Sequence, residues 1–214
     1  MSGNIIPALR FNALTRFYDP VVRLTTRERL VKGQIVDAAK ILGDTVVLDL
    51  GCGTGTLTVM AKQQHPDARV IGLDADPAIL DQARQKAIDT HVEIEFIEAN
   101  ASDIPLPDNS LQCVISSLFF HHLLPKQKRS VLQEVVRVLE PGGRLYICDW
   151  GKPSNVLMRM LFYFVQGLDG FATTQDSVEG RLPGYIREAG AGRVREHRHV
   201  NTVLGTLRLI EATK

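Results

Sequence analysis

A β-branched run, Val46 and Val47 with Leu48, leads into Asp49 and then into glycine at every second position: Gly51, Gly53 and Gly55, followed by Thr56 and Leu57. A strand, a tight loop and a helix start written in this way bring backbone N–H groups and the positive end of a helix up to a ligand that lies against the main chain. The spacing restricts the ligand. A dinucleotide fingerprint needs G-x-G-x-x-G, and its last position is Thr56 here, which argues against a nicotinamide oxidoreductase. A phosphate-binding P-loop needs Gly-Lys-Ser or Gly-Lys-Thr after the glycines, and neither occurs. Asp49 would repel a pyrophosphate but attract a cationic amino group. The loop therefore suits a zwitterionic ligand.

Candidate proton-transfer groups lie further along. His121 and His122 follow one strand-like run and Asp149 ends another. An imidazole with an unperturbed pKa of roughly 6.5 can take a proton from an acidic hydroxyl, thiol or activated carbon. The plainer alternatives are a His that caps the next helix or shapes a pocket, and an Asp149 bonded to the Trp150-Gly151 turn. His197 and His199 alternate onto one strand face with Arg198 opposite, but no Cys or carboxylate partner is evident. They read as a solvated face, as do Arg193 and Arg195, and no metal is expected.

Asp-x-Gly-x-Gly-x-Gly after a first strand resembles motif I of the class I S-adenosylmethionine-dependent methyltransferases. Later motifs extend the resemblance in order. Residues 69–73 form a second strand ending in Asp74, about 20 residues past the glycines, where an acid in this kind of fold can take both hydroxyls of a ribose. Asn100-Ala101-Ser102 is similar to the family's adenine-binding turn, with Asn where Asp is usual. Ser116-Ser117-Leu118-Phe119-Phe120-His121-His122 and Leu139-Glu140-Pro141-Gly142-Gly143 match the stretches after strand four and before strand five. The resemblance implies S-adenosyl-L-methionine as cofactor, held by Asp49, Gly51, Cys52, Gly53, Gly55, Asp74, Ala75, Asn100, Ala101, Ser102, Ser116 and Ser117. Tyr18, in an N-terminal flap over residues 1–25, would approach the sulfonium by cation–π attraction. It also implies methyl transfer, in which in-line positioning and proton removal are the remaining tasks, assigned to His121, His122 and Asp149.

The closest subgroup is that of the ubiquinone and menaquinone C-methyltransferases and allied small-molecule enzymes. The acceptor is expected to be small and apolar, aromatic, quinone-like or lipid-like. The base-gripping motif of nucleic-acid amino-methylases is replaced by Ser116-Ser117-Leu118-Phe119, so no nucleic acid is expected. The alternative is a sensor or regulatory subunit that binds the cofactor without catalysis, since a fold and a cofactor site do not prove turnover.

These residues need a scaffold. Short strands at 46–50, 69–73, 92–97, 111–117 and 144–149 alternate with helical patterns, which predicts an α/β fold: a Rossmann-like doubly wound sheet, mostly parallel, with helices on both faces. The resemblance adds a seventh, antiparallel strand at the C-terminus. A helix over 26–42 places Leu30, Val31, Ile35, Ala38, Ala39 and Leu42 on one face and is expected to cover the sheet edge. Asp76 and Pro77 signal a helix start. Two strand-like runs, 193–199 and 202–212, are separated by Val200-Asn201, too short for anything but antiparallel pairing. Residues 1–25 and 150–184 fit no βα unit and are the expected flap and substrate lid. Within the lid, Met158, Met160, Leu161, Phe162, Tyr163, Phe164 and Val165 could line an acceptor pocket, or serve core or homodimer packing.

The 214 residues fit a single domain over 1–214. With 25 Lys and Arg against 24 Asp and Glu the net charge is +1, so no general affinity for nucleic acid or acidic membranes is indicated. Cys52, Cys113 and Cys148 fall in or beside strands without metal-ligand spacing, which with the absence of a leader or membrane-spanning run suggests a reduced, cytoplasmic setting.

Overall fold

The computed structural model describes residues 28–214, so the expected flap and Tyr18 lie outside the described residues. Its centre is β1 (Val46–Leu50), flanked by β2 (Arg69–Asp74) and β4 (Leu111–Ser117). With β3 (Glu95–Glu98), β5 (Leu139–Trp150), β6 (Arg193–Thr202) and β7 (Gly205–Thr213) the sheet order is β3-β2-β1-β4-β5-β7-β6. Strands β1 to β5 run parallel, and β7 enters antiparallel between β5 and β6.

Alternation within the strands divides the core. Leu48 and Leu50 of β1, Val114 of β4 and Leu145 and Ile147 of β5 face one side, against α4 (Pro125–Val138) and α7 (Leu182–Glu188). Val47, Cys113, Ile115, Tyr146, Cys148 and Trp150 face the other, against α1 (Glu28–Ala39), α2 (Thr56–Gln64) and α5 (Val156–Asp169). This period-two switch is what a sheet covered on both faces requires. On the same period, Asp49 points to the α1 and α2 side. Helix α3 (Pro77–Asp89) starts as its sequence predicts: Asp76 accepts from the backbone N–H of Ala78 at 2.9 Å, with Pro77 in the first turn.

Several expectations need correction. Helix α1 buries Val31, Ile35, Val36 and Ala39, while Leu30 and Leu42 are 48% and 76% exposed. It lies on β4 and β5, over the middle of a sheet face rather than the edge. Strand β5 begins at Leu139, so the Pro-Gly-Gly run lies inside it. The β6–β7 turn falls at Val203-Leu204, not Val200-Asn201. Residues 150–184 are largely helical: α5 is capped by Asn155, whose Oδ1 accepts from Met158 N–H at 2.9 Å, and α6 (Phe171–Val178) follows after Gly170. Met158, Phe162 and Val165 recur at one-turn spacing and enter the core, whereas Met160, Tyr163 and Phe164 point outward, so the apolar segment does not line a pocket as a unit. No helix among the described residues is long and apolar enough to cross a membrane.

Candidate active site

The carboxyl ends of β1, β2 and β4 assemble the site. Beyond β1 the chain reverses with Gly51, Gly53 and Gly55 all left-handed, at φ of 68°, 54° and 73°. Two of these glycines are required by neighbours. A Cβ on Gly51 would lie 2.4 Å from the Phe119 ring, and one on Gly55 would lie 2.9 Å from Cβ of Ala83 in α3. Gly53 differs, because a Cβ there meets nothing within 4 Å. Its α-carbon borders open space, which is where a ligand could touch the main chain.

Backbone and side chains fix this loop. The amides of Gly51 and Cys52 both donate to the carbonyl of Leu73, at 2.9 and 3.0 Å. Asp74, at the end of β2, accepts from Gly53 N–H at 2.9 Å through Oδ2 and from Asp76 N–H at 3.1 Å through Oδ1. Lys86 of α3 donates to the hydroxyls of Thr54 and Thr56, at 3.0 and 2.7 Å. Asp49 is 1% exposed and accepts from the Thr58 hydroxyl at 2.6 Å. Burial pushes its carboxyl up to about 6, against the pull of Thr58 and Lys32. The carboxyl thus acts from beneath the loop. Burial also holds the Cys52 thiol well above its ordinary range, with Asp49 and Asp74 adding to the effect, and pushes the Cys113 thiol up to about 12.

Asn100 sits on an exposed turn, its Oδ1 accepting from the N–H and hydroxyl of Ser102 at 2.9 and 2.8 Å. The neighbouring Ala75 is exposed, and the Ala101 side chain is in the core. Two residues that sequence reading missed hold this region to α4. Arg137 donates to the carbonyls of Ile104 and Leu106 at 2.8 and 2.9 Å, and Glu134 accepts from Ile104 N–H at 3.0 Å. The Glu134–Arg137 spacing on a helix could have suggested an ion pair, but nothing local shows that both reach the turn.

Strand β4 delivers the remaining groups. Ser116 is buried with its hydroxyl donating to Leu50 carbonyl at 2.8 Å, while the buried Ser117 hydroxyl has no hydrogen-bond partner among the described residues. Leu118 has φ of 55°, unusual for a branched side chain and the kind of backbone that clusters at functional sites. The chain then enters a 3₁₀ turn, Phe120–His122.

His121 and Asp149, both 2% exposed, meet there: Nδ1 of His121 lies 2.7 Å from Oδ1 of Asp149. Asp149 also accepts from the N–H of Trp150 at 2.7 Å and of His121 at 3.2 Å. Burial alone would raise the Asp149 carboxyl, but His121 and these donors hold it below its ordinary range. Burial alone would lower His121, yet the Asp149 charge and hydrogen bond, with Asp169, raise it. With Asp149 ionised, Nδ1 keeps its proton whether or not the ring is charged, so Nε2 is the nitrogen that gains or loses a proton and presents a lone pair in the neutral ring. His122 is pushed down by burial and by His121, so it stays neutral. A further residue missed from sequence, Asp169 of α5, places Oδ2 3.7 Å from Nε2 of His121 and Oδ1 4.0 Å from Nδ1 of His122.

The other histidine pair is not brought together. A bulge between Glu196 and Arg198 leaves His197 unpaired in the ladder, bonded to Glu211 at 2.6 Å, while His199 lies opposite Arg208. Glu211 and Arg208 are on opposite faces of β7, so the expected shared face is lost and His197 does have a carboxylate partner.

Residues 47–143 match a family described as a methyltransferase domain. A demethylmenaquinone methyltransferase of Thermus thermophilus is 36% identical over 72% of this chain, which spans 66% of that relative's length. A ubiquinone/menaquinone biosynthesis C-methyltransferase of Hahella chejuensis is 31% identical, with 84% of this chain and 74% of the relative covered. In fold, the chain resembles the crystal structure of a SAM-dependent methyltransferase from Aquifex aeolicus, with a TM-score of 0.67 at 20% identity over 91% of this chain and 97% of that one.

Proposed function

The chain belongs to the class I S-adenosylmethionine-dependent methyltransferases, and from that premise we propose that it methylates a small, apolar acceptor carrying an ionisable hydroxyl, of the phenol or quinol type. The buried Asp149–His121 pair carries this reading, because it prepares one imidazole nitrogen as a base two residues after Phe119, whose ring packs on Gly51 of the glycine loop. The names of the two relatives, a demethylmenaquinone methyltransferase and a ubiquinone/menaquinone biosynthesis C-methyltransferase, support a quinone-like acceptor.

The residues at the glycine loop fit the cofactor. Gly53 leaves room for it to lie on the main chain, and the loop is held by Asp74, which keeps oxygen lone pairs for the ribose hydroxyls. Asn100, Ala101 and Ser102 form the turn that would meet the base, with Asn100 Oδ1 already holding the N–H and hydroxyl of Ser102, and the Ser117 hydroxyl, without a partner among the described residues, offers a polar contact. Gly51, Gly55, Cys52, Ala75 and Ser116 shape the cradle, and Asp49 favours a cationic amino group from below. When bound, the cofactor supplies an electrophilic methyl on a sulfonium whose leaving group is neutral. The protein then orients the acceptor, excludes water and accepts its proton at Nε2 of His121, with Asp149 fixing the tautomer. His122 forms a neutral wall of the acceptor pocket, and residues 150–184 its lid.

Isothermal titration with S-adenosylmethionine and S-adenosylhomocysteine, on the wild type and on Asp74→Ala with NAD as control, tests the site. Both sulfur ligands should bind, and Asp74→Ala should lose them. Binding of NAD alone would overturn the assignment. Turnover on a panel of quinols, phenols and thiols then tests the acceptor class.

A further inference from the structure

We propose that Asp169 is a second catalytic group of the acceptor site, a neutral carboxylic acid that donates a hydrogen bond to the acceptor's ionisable hydroxyl while Nε2 of His121 takes its proton. The proposal rests on the methyl-transfer reading and adds to it a two-point hold on an acidic O–H.

The geometry is that of a carboxyl without a hydrogen-bond donor, whose one potential positive partner is His121, 3.7 Å away. Asp169 ends α5, its side chain is 5% exposed, and no hydrogen-bond donor among the described residues reaches its oxygens. Asp149, the same residue type, receives three donors. Asp149 fixes a proton on Nδ1, so in the neutral, base form of His121 that the reaction uses Nε2 points a lone pair at Asp169, with His122 neutral beside it. An ionised Asp169 would be a buried carboxylate facing a lone pair, a costly arrangement that a proton on the carboxyl removes. The charged groups around it do not alter this. Lys128 of α4 is engaged by Asp176 at 2.6 Å and by the Thr173 carbonyl at 2.7 Å, and Asp149 of β5 adds negative charge. Burial, with Asp149 reinforcing it, holds the Asp169 carboxyl above its ordinary range against the pull of His121.

The spacing fits a guest. At 3.7 Å, Nε2 and Oδ2 are too far apart for a direct hydrogen bond, and an oxygen about 2.8 Å from each would bridge them. A hydroxyl there donates to Nε2 and accepts from Asp169. In the reaction its O–H bond breaks and the proton passes to Nε2. The electron pair left on the acceptor forms the new bond to methyl, and the C–S pair stays on sulfur as a neutral thioether. Asp169 keeps its proton throughout and stabilises the oxyanion, as neutral buried acids do elsewhere. His121 later returns its proton to solvent.

Two readouts test this. Infrared difference spectra of wild type against Asp169→Asn at neutral pH should show a protonated carboxylic-acid band, whatever the true acceptor is. With 1,4-naphthohydroquinone as methyl acceptor, Asp169→Asn keeps a donor and should retain kcat within about threefold, whereas Asp169→Ala should lose on the order of 10²-fold in kcat with cofactor binding intact. An ionised-carboxylate band, or an Asn variant as impaired as the Ala variant, overturns the proposal. So does activity abolished by a chelator and restored by zinc or manganese, since His121, His122 and Asp169 bring ligand atoms within 4.8 Å of one another. Failure of the wild type to bind S-adenosylmethionine would instead strike the methyl-transfer reading itself.

Discussion

Replacing Asp149 by Asn changes one atom and should break two things at once. In the wild type Oδ1 serves Trp150 N–H and the His121 ring, and Oδ2 serves His121 N–H. An amide has one acceptor oxygen. Placed at Oδ1, it leaves its NH₂ against the His121 backbone N–H; placed at Oδ2, against that of Trp150. Either way a buried N–H loses its acceptor, at a cost of about 1–3 kcal/mol. With the second orientation the NH₂ also donates to Nδ1, so the ring proton moves to Nε2 and the base is lost. A positioned general base contributes about 10²–10⁴ in rate, and the acidic hydroxyl proposed here places the expected loss in kcat at about 10²–10³, or roughly 3–4 kcal/mol. The assay is kcat on a quinol or phenol acceptor, with ¹⁵N shifts of the His121 ring to read the tautomer and titration to show that S-adenosylmethionine still binds. Linkage adds a sign. The raised His121 contributes stability below its unfolded pKa that disappears as pH rises through the folded value, and the lowered Asp149 contributes stability that disappears only in acid. Asp149→Asn should erase the first component. An Asn variant with an unchanged ring tautomer and an unchanged stability profile as pH rises above the ordinary histidine value of about 6.5 would refute the reasoning.

Asp49→Asn should stabilise the protein by up to about 3 kcal/mol near pH 8 and not below about pH 4, because a carboxyl raised to about 6 by burial favours the folded state only when protonated; a gain independent of pH in thermal melts would contradict this. Gly53→Ala and Gly55→Ala should separate binding from folding. Both impose about 1–2 kcal/mol for a left-handed residue, but only the methyl introduced by Gly55→Ala collides with Ala83, adding about 1–3 kcal/mol, whereas Gly53→Ala should chiefly weaken S-adenosylmethionine binding; equal effects on melting would count against the open face at Gly53. Lys128→Met should destabilise by about 3–5 kcal/mol by stranding Asp176, with most of the loss recovered when Asp176→Leu is added; chemical denaturation of the single and double variants decides it.

The parts of the fold legible in the chain were those in which local chemistry and tertiary role coincide. The loop after β1, the Asp76 cap and the alternating strands each satisfy their own backbone, and the sheet they imply is the one observed. Helix α5 was hidden because apolar residues surround it: Met158, Phe162 and Val165 are a buried stripe, but Leu157, Met160, Tyr163 and Phe164 erase the contrast that periodicity needs. The His197 bulge was invisible for a different reason. One unpaired residue reverses every later side chain, and the sequence marks it with neither Gly nor Pro. Arg137 and Lys86 look like ordinary surface helix residues, and only the folded chain shows that they reach the 100–108 turn and the glycine loop.

The same limit governs the chemistry. Asp149 and Asp169 are identical in sequence terms, each an acid at or beside the end of an element, and each faces the same imidazole. What separates them is the number of donors that packing supplies: three for Asp149, from a ring and two backbone amides, and none among the described residues for Asp169. The first is thereby fixed as the charge that orients His121. The second, brought in when Phe162 and Val165 seat α5 on the core beside Trp150 and Leu207, is left with burial as its dominant influence. A base with an ionised partner on one side and a neutral donor on the other is a site divided into two protonation states by hydrogen-bond count alone. That count is a property of the tertiary contact between α5 and the 3₁₀ turn that follows β4, so the histidines could be singled out from sequence while the acid opposite them could not.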